Sequence, residues 1–185
     1  GGHARHLQGG ATLTEASLAA PATAQNFGSL ERLLPLRLFN PERLLSYLPV
    51  AWASSFLPAI ILSALVGAWV GEGAQPSFPL GSWTVFLLAV VVAPVTETLI
   101  MGAALLALRL FLSPAAAVVI SSLGWGIAHS LQAPAWGLVI WWPFLIFSIV
   151  FLVWQKRGLV RAFAVVTLLH GLHNLLPALG LVAAG

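Results

Sequence analysis

Five apolar runs, each near the ~20 residues that a helix needs to cross the hydrocarbon core of a bilayer, dominate this sequence. They cover residues 48–70, 82–111, 114–131, 136–154 and 159–182. Lipid offers no water to backbone N–H and C=O groups, so segments of this length must satisfy those groups internally, as helices do. Composition agrees. The chain is 59% hydrophobic and 7% charged, against roughly a quarter charged in a soluble domain. The expected fold is all-α, a polytopic membrane bundle of about five transmembrane helices with the lipid bilayer as its surroundings. Cysteine is absent, which excludes disulfides and thiolate chemistry. The net charge of +3 reflects arginines near lipid headgroups, and no nucleic-acid partner is expected.

Three stretches differ in character. Residues 1–26 lack sustained periodicity and read as a flexible leader. Residues 27–47 carry Leu30, Leu33, Leu34 and Leu38 at helical spacing with Glu31 and Arg32 off that face, which predicts an amphipathic helix in the headgroup layer. Within it, Asn40-Pro41-Glu42 has the form of a helix start. Residues 48–185 form the transmembrane bundle. Arg32, Arg37 and Arg43 precede the first span, Arg109 lies between the second and third, and Lys156, Arg157 and Arg161 lie between the fourth and fifth. The alternate loops, 71–81 and 132–135, hold no Lys or Arg. The positive-inside bias then places the amino terminus in the cytoplasm and the carboxyl terminus outside. The expected location is a bacterial cytoplasmic membrane.

One residue breaks the second run. Glu97 is the only acid after Glu72, and a carboxylate at mid-membrane costs at least ~2.5–3.5 kcal/mol on insertion scales. Pro94, one turn earlier, cannot donate a backbone hydrogen bond, so the carbonyl of Val90 is expected to need another donor. The third run contributes His129, with Ser122 and Gly126 on its face. The fifth contributes His170 and Asn174, stacked at i and i+4, with His173 about 60° round from His170. At ~1.5 Å of rise per residue, Glu97, His129, His170 and Asn174 can meet near the middle of the bilayer. Glu, His and Asn gathered there suit acid–base chemistry or proton transfer. Glu97, His129, His170 and His173 would be the alternative, a zinc set with an open position. Most tryptophans lie near span ends, as interfacial anchors do, whereas Trp125 lies deep in the third run.

Ala93-Pro94-x-x-Glu97, Trp125-x-x-x-His129 and His170-x-x-x-Asn174, in that order on three helices, resemble the CPBP family of intramembrane proteases. That family includes the type II CAAX prenyl endopeptidases. The resemblance implies an endopeptidase acting on a membrane-associated peptide, with no cofactor. In it Glu97 would activate water, His129 would share that water, and His170 and Asn174 would orient it or stabilise the oxyanion. The family's first motif is usually Glu-Glu-x-x-x-Arg, and here Thr98 and Gly102 replace the second Glu and the Arg. That double loss motivates an alternative of another class: a catalytically inactive accessory subunit, its partners being the other subunits of a membrane complex.

Overall fold

The computed structural model describes residues 25–70, 74, 76–78 and 81–184. All but the last two residues of the expected 1–26 leader lie outside the described residues. Residues 27–47 do not form one amphipathic helix. They make a single turn, α1 (Leu30–Leu33), and a 3-10 turn over Leu36–Leu38 before α2 (Leu44–Trp69) begins. Pro35 is the reason, because it lacks an N–H and forces the residue before it out of the helical region. Leu34 accordingly sits at φ −118°, ψ 156°. The start signal at Asn40 is displaced as well: Arg43 caps α2, and Asn40 Nδ2 donates back to Leu36 O at 3.2 Å.

After α2 come α3 (Trp83–Leu108), α4 (Pro114–Ser130), α5 (Gly137–Gln155) and α6 (Leu159–Ala183). Among the described residues, α2, α3, α5 and α6 are long and apolar enough to cross a membrane. The third expected span, α4, has 17 residues, and its length of ~25 Å falls short of the ~30 Å hydrocarbon core. Both of its ends are tied locally. Ser113 Oγ accepts from the Ala116 N–H at 3.2 Å, and Ser130 Oγ donates to Pro134 O at 3.2 Å. Val119, Ile120, Leu123 and Ile127 are exposed on one face, and the other face packs against the start of α5. There Gly126 and Gly137 let the backbones meet so closely that a Cβ on Gly137 would lie 1.9 Å from Gly126 O.

Helix α5 is the axis. In its most apolar window 72% of the residues are buried, against 22%, 22% and 33% for α2, α3 and α6. The helices alternate in direction, which collects Arg43, Arg109, Lys156, Arg157 and Arg161 at one end of the bundle. Arg157 holds that end together. It donates to the carbonyls of Pro41 and Glu42 while its guanidinium sits 5.2 Å from the centre of the Trp154 ring. Tyr47, buried edge-on against Trp154, donates to Leu38 O at 2.9 Å. At the other end Gly81 N–H reaches Leu181 O, and Ala135 N–H reaches Ala74 O, both at 3.0 Å.

Helix α2 runs unbroken through Pro49 and Pro58. Pro58 deprives the Ser54 carbonyl of its helical partner, and Trp142 Nε1 of α5 donates to that oxygen at 2.9 Å. Trp142 is therefore a strut between helices rather than an outward-facing anchor. Replacing it by Phe should cost about 1 kcal/mol of unfolding free energy in detergent, since it leaves a carbonyl unanswered. Pro58→Ala should cancel most of that loss by restoring the helical donor. An equal loss in both backgrounds would show that the Trp142 bond is not what matters.

Candidate active site

Around Pro94 the helix opens, at a register one residue away from the expected one. Residues Leu88–Val92 form a π turn, in which Ala93 N–H bonds to Leu88 O, five residues back. The next donor in that register would be Pro94, which has none, so the Ala89 carbonyl is left without a helical partner. Asn174 Nδ2 on α6 donates to Ala89 O at 2.8 Å. Gly171 permits the approach, because a Cβ there would lie 2.8 Å from Val90 O. One bond thus answers the freed carbonyl and locks α6 against α3 beside Glu97.

Glu97, His129, His170, His173 and Asn174 all line one cavity of about 290 Å³ between α3, α4, α5 and α6. His170 Nε2 lies 3.8 Å from Glu97 Oε2, with the two side chains 5% and 23% exposed. That separation is longer than a direct hydrogen bond. His170 Nδ1 is buried without a partner, and the ring rests 4.7 Å from Phe147 and 5.4 Å from Phe144. His129 is gripped by aromatic rings: Trp136 edge-on at 4.7 Å, Phe144 at 5.7 Å and Trp125 at 5.8 Å. Its Nδ1–H donates to Trp125 O at 2.9 Å, which leaves the Nε2 lone pair available. Trp125, out of place as an interfacial anchor, is explained here. It stacks on Phe144 at 4.4 Å and holds His129 through its carbonyl.

Residues from outside the expected set complete the surroundings. Ser55, fully buried on α2, lies 3.1 Å from His173 Nδ1. Its own hydroxyl proton goes to Trp52 O at 3.0 Å, so Nδ1 of His173 is the donor and Nε2 carries the lone pair. Nothing in the sequence distinguishes Ser55 from other small residues of its helix. Trp136, Phe144 and Phe147 read as anchors or filler because their role depends on which histidine they meet. Ser122 turns back on its own helix, donating to Val119 O at 2.8 Å. Among the described residues no group of three His, Asp or Glu side chains is arranged to hold a metal ion. Glu97, His129, His170 and His173, the alternative zinc set, share the cavity without forming such a group. Thr98 is buried with its hydroxyl unpartnered, and Gly102 faces Phe151, whose Cζ would lie 2.6 Å from a Cβ there.

Ser55→Ala should release the tautomer of His173. Nitrogen-15 spectra of histidine-labelled protein should show a single Nδ1–H form in the native chain and in Ser55→Thr, and a mixture in Ser55→Ala. A mixture already present in the native chain would contradict the assignment.

No curated protein and no solved structure matches this chain. The family described as type II CAAX prenyl endopeptidase Rce1-like does match, over residues 79–176. That range is just over half of the sequence and contains all three motifs, from shortly before α3 to just beyond Asn174. The chain belongs to this Rce1-like family of type II CAAX prenyl endopeptidases.

Proposed function

We propose that the protein is an intramembrane endopeptidase in which Glu97 activates water against a peptide bond. The observation that carries this reading is a lone intramembrane carboxylate facing His170 at 3.8 Å in a cavity that also holds His129 and Asn174. Water held between Glu97 and Nε2 of His129 gives a proton to the carboxylate as its oxygen attacks the substrate carbonyl carbon. Glu97 then passes that proton to the amide nitrogen as the C–N bond breaks. His170, its ring fixed by Phe144 and Phe147, orients Glu97 through Nε2. Asn174 has one amide N–H on Ala89 O and a second for the oxyanion. Family membership supports the reaction class, and no step is routed through a metal.

Glu97→Gln keeps the size of the side chain and removes its capacity to take a proton. Cleavage of a membrane-associated peptide should fall by ~10²–10⁴-fold, with expression and thermal stability preserved. Unchanged turnover would end the reading. A native chain that cleaves nothing but co-purifies in a stoichiometric complex would favour the accessory-subunit reading, to which Thr98 and Gly102 lend support.

The proposed orientation in a bacterial cytoplasmic membrane has the basic end of the bundle inside. The chain has no cysteine, so single cysteines can report sidedness. Gln132, exposed in the α4–α5 turn, suits this better than its buried neighbour Ala133. A cysteine at Gln132 should react with an impermeant thiol reagent in intact cells, and one at Lys156 only in inside-out vesicles. The reverse pattern would invert the topology.

A further inference from the structure

Three polar atoms beside the candidate active site are answered by no other group of the protein. Among the described residues, Thr98 Oγ1, Thr167 Oγ1 and His170 Nδ1 are buried without a hydrogen-bond partner. Buried hydroxyls and ring nitrogens are rarely left so, because each has given up its hydration without a replacement bond. Gln25 Oε1 and Trp154 Nε1 share that state but belong to the basic end of the bundle.

Helix spacing brings the three together. Helix α3 runs towards the basic end and α6 away from it, and the 3.8 Å approach of His170 Nε2 to Glu97 Oε2 pairs them at that level. Thr98 follows Glu97, and Thr167 precedes His170 by about one turn, so both lie on the basic side of that contact. At ~100° per residue, Phe163, Thr167, His170 and Asn174 fall on one stripe of α6 about 60° wide. Every other member of the stripe meets α3. Asn174 does so through Ala89 O, His170 through Glu97, and Phe163 in the groove that it lines with Thr98. Thr167 therefore faces α3 between the residues that meet Glu97 and Thr98. The neighbouring side chains are apolar and completely buried: Met101, Val166 and Leu169.

We propose that Thr98, Thr167 and Nδ1 of His170 hold one buried water, which keeps the Nε2 proton of His170 directed at Glu97. Three partners match the number that a buried water typically bonds, about three. The water gives one O–H to Nδ1, gives the other to one threonine oxygen and accepts the proton of the second hydroxyl. A neutral imidazole that accepts at Nδ1 carries its hydrogen on Nε2, the atom that faces the carboxylate. Thr98 and Thr167 are thus positioning residues, which act on Glu97 through the water and His170. Their effect on catalysis rests on the endopeptidase reading; the water and the tautomer do not.

His170-Gly171 is the only His-Gly pair in the sequence, so labelling histidine and glycine assigns the His170 ring in solid-state spectra. In the native chain that ring should be a single Nε2–H form, and magnetisation should pass from water to Nδ1. Thr98→Val and Thr167→Val keep the shape of the side chain and remove the hydroxyl. Each should give a mixture of tautomers and cut the transfer to Nδ1 at least threefold, while Thr98→Ser and Thr167→Ser should match the native chain. An Nδ1–H or mixed ring in the native chain, or no transfer to its Nδ1, would overturn the proposal without recourse to any variant. A change in Thr167→Val alone would overturn it too, since Thr167 would then bond the ring directly.

Peptide cleavage supplies the second readout. Both valine variants should lower kcat at least twofold with KM unchanged, and the serine variants should restore it. Mixed tautomers with an unaltered kcat would end the positioning role. A native chain that cleaves nothing would sink the endopeptidase reading, and the spectra would still decide whether the water is there.

Discussion

Backbone carbonyls stripped of their helical partners govern how this bundle is assembled. Proline removes a donor wherever it enters a helix, and in lipid the oxygen it frees has no water to turn to. Two such oxygens are answered by side chains from other helices: Ser54 O by Trp142, and Ala89 O by Asn174. Each bond fixes one helix against another, α5 on α2 and α6 on α3. The second also lies beside the candidate catalytic groups. The π turn that exposes Ala89 O lies just before Glu97, and the asparagine that answers it is on the same helix as His170 and His173. The amide that answers the freed carbonyl also lines the cavity that holds Glu97.

The broad plan was legible because lipid leaves few options. Apolar runs of membrane length had to be helices, and the charge alternation at their ends already implied that successive helices run in opposite directions. Glu97, His129, His170 and Asn174 stood out because polar groups are so costly there, and all four do share one cavity. What could not be read depended on short-range backbone detail. Pro35 split the expected amphipathic helix, since one missing N–H outweighed the periodicity of four leucines. The opening at Pro94 was foreseen, but not that Asn174 would answer Ala89 O, because a π register cannot be told from an α register by composition. Ser55 left no trace in the sequence. A small buried hydroxyl gains its meaning only from the ring it meets.

That serine also shows how the two parts of the chain divide the work. The family match begins at residue 79, so α2 lies wholly outside it, yet α2 closes one side of the site. Besides Ser55 on His173, it supplies Trp52, whose Nε1 donates to Leu172 O at 3.2 Å, and Phe56, edge-on to His173 at 5.5 Å. The matched helices carry the candidate catalytic groups, and α2 holds the back of α6 in place. The tautomer of His173 is therefore set from a helix that the family resemblance does not cover.

The position of Thr98 and Gly102 bears on what their substitution means. Ala89, Ala93 and Glu97 succeed one another at intervals of four and all line the cavity. Thr98 is one residue further on, ~100° round the helix, and with Gly102 it borders a separate groove beside Phe151 and Phe163. An ion pair at these two positions would have braced α3 from behind rather than touched the cavity. Losing only one partner would have left an uncompensated charge at a cost of ~3–5 kcal/mol. Losing both leaves an unpartnered hydroxyl at Thr98 and room at Gly102 that the Phe151 ring has taken up. Phe151 packs over Gly102 on that side of α3, and the face that carries Glu97 borders the cavity instead. The altered motif is thus a change in how the helix is supported, and the carboxylate, its facing histidine and the amide that holds the π turn remain in one cavity.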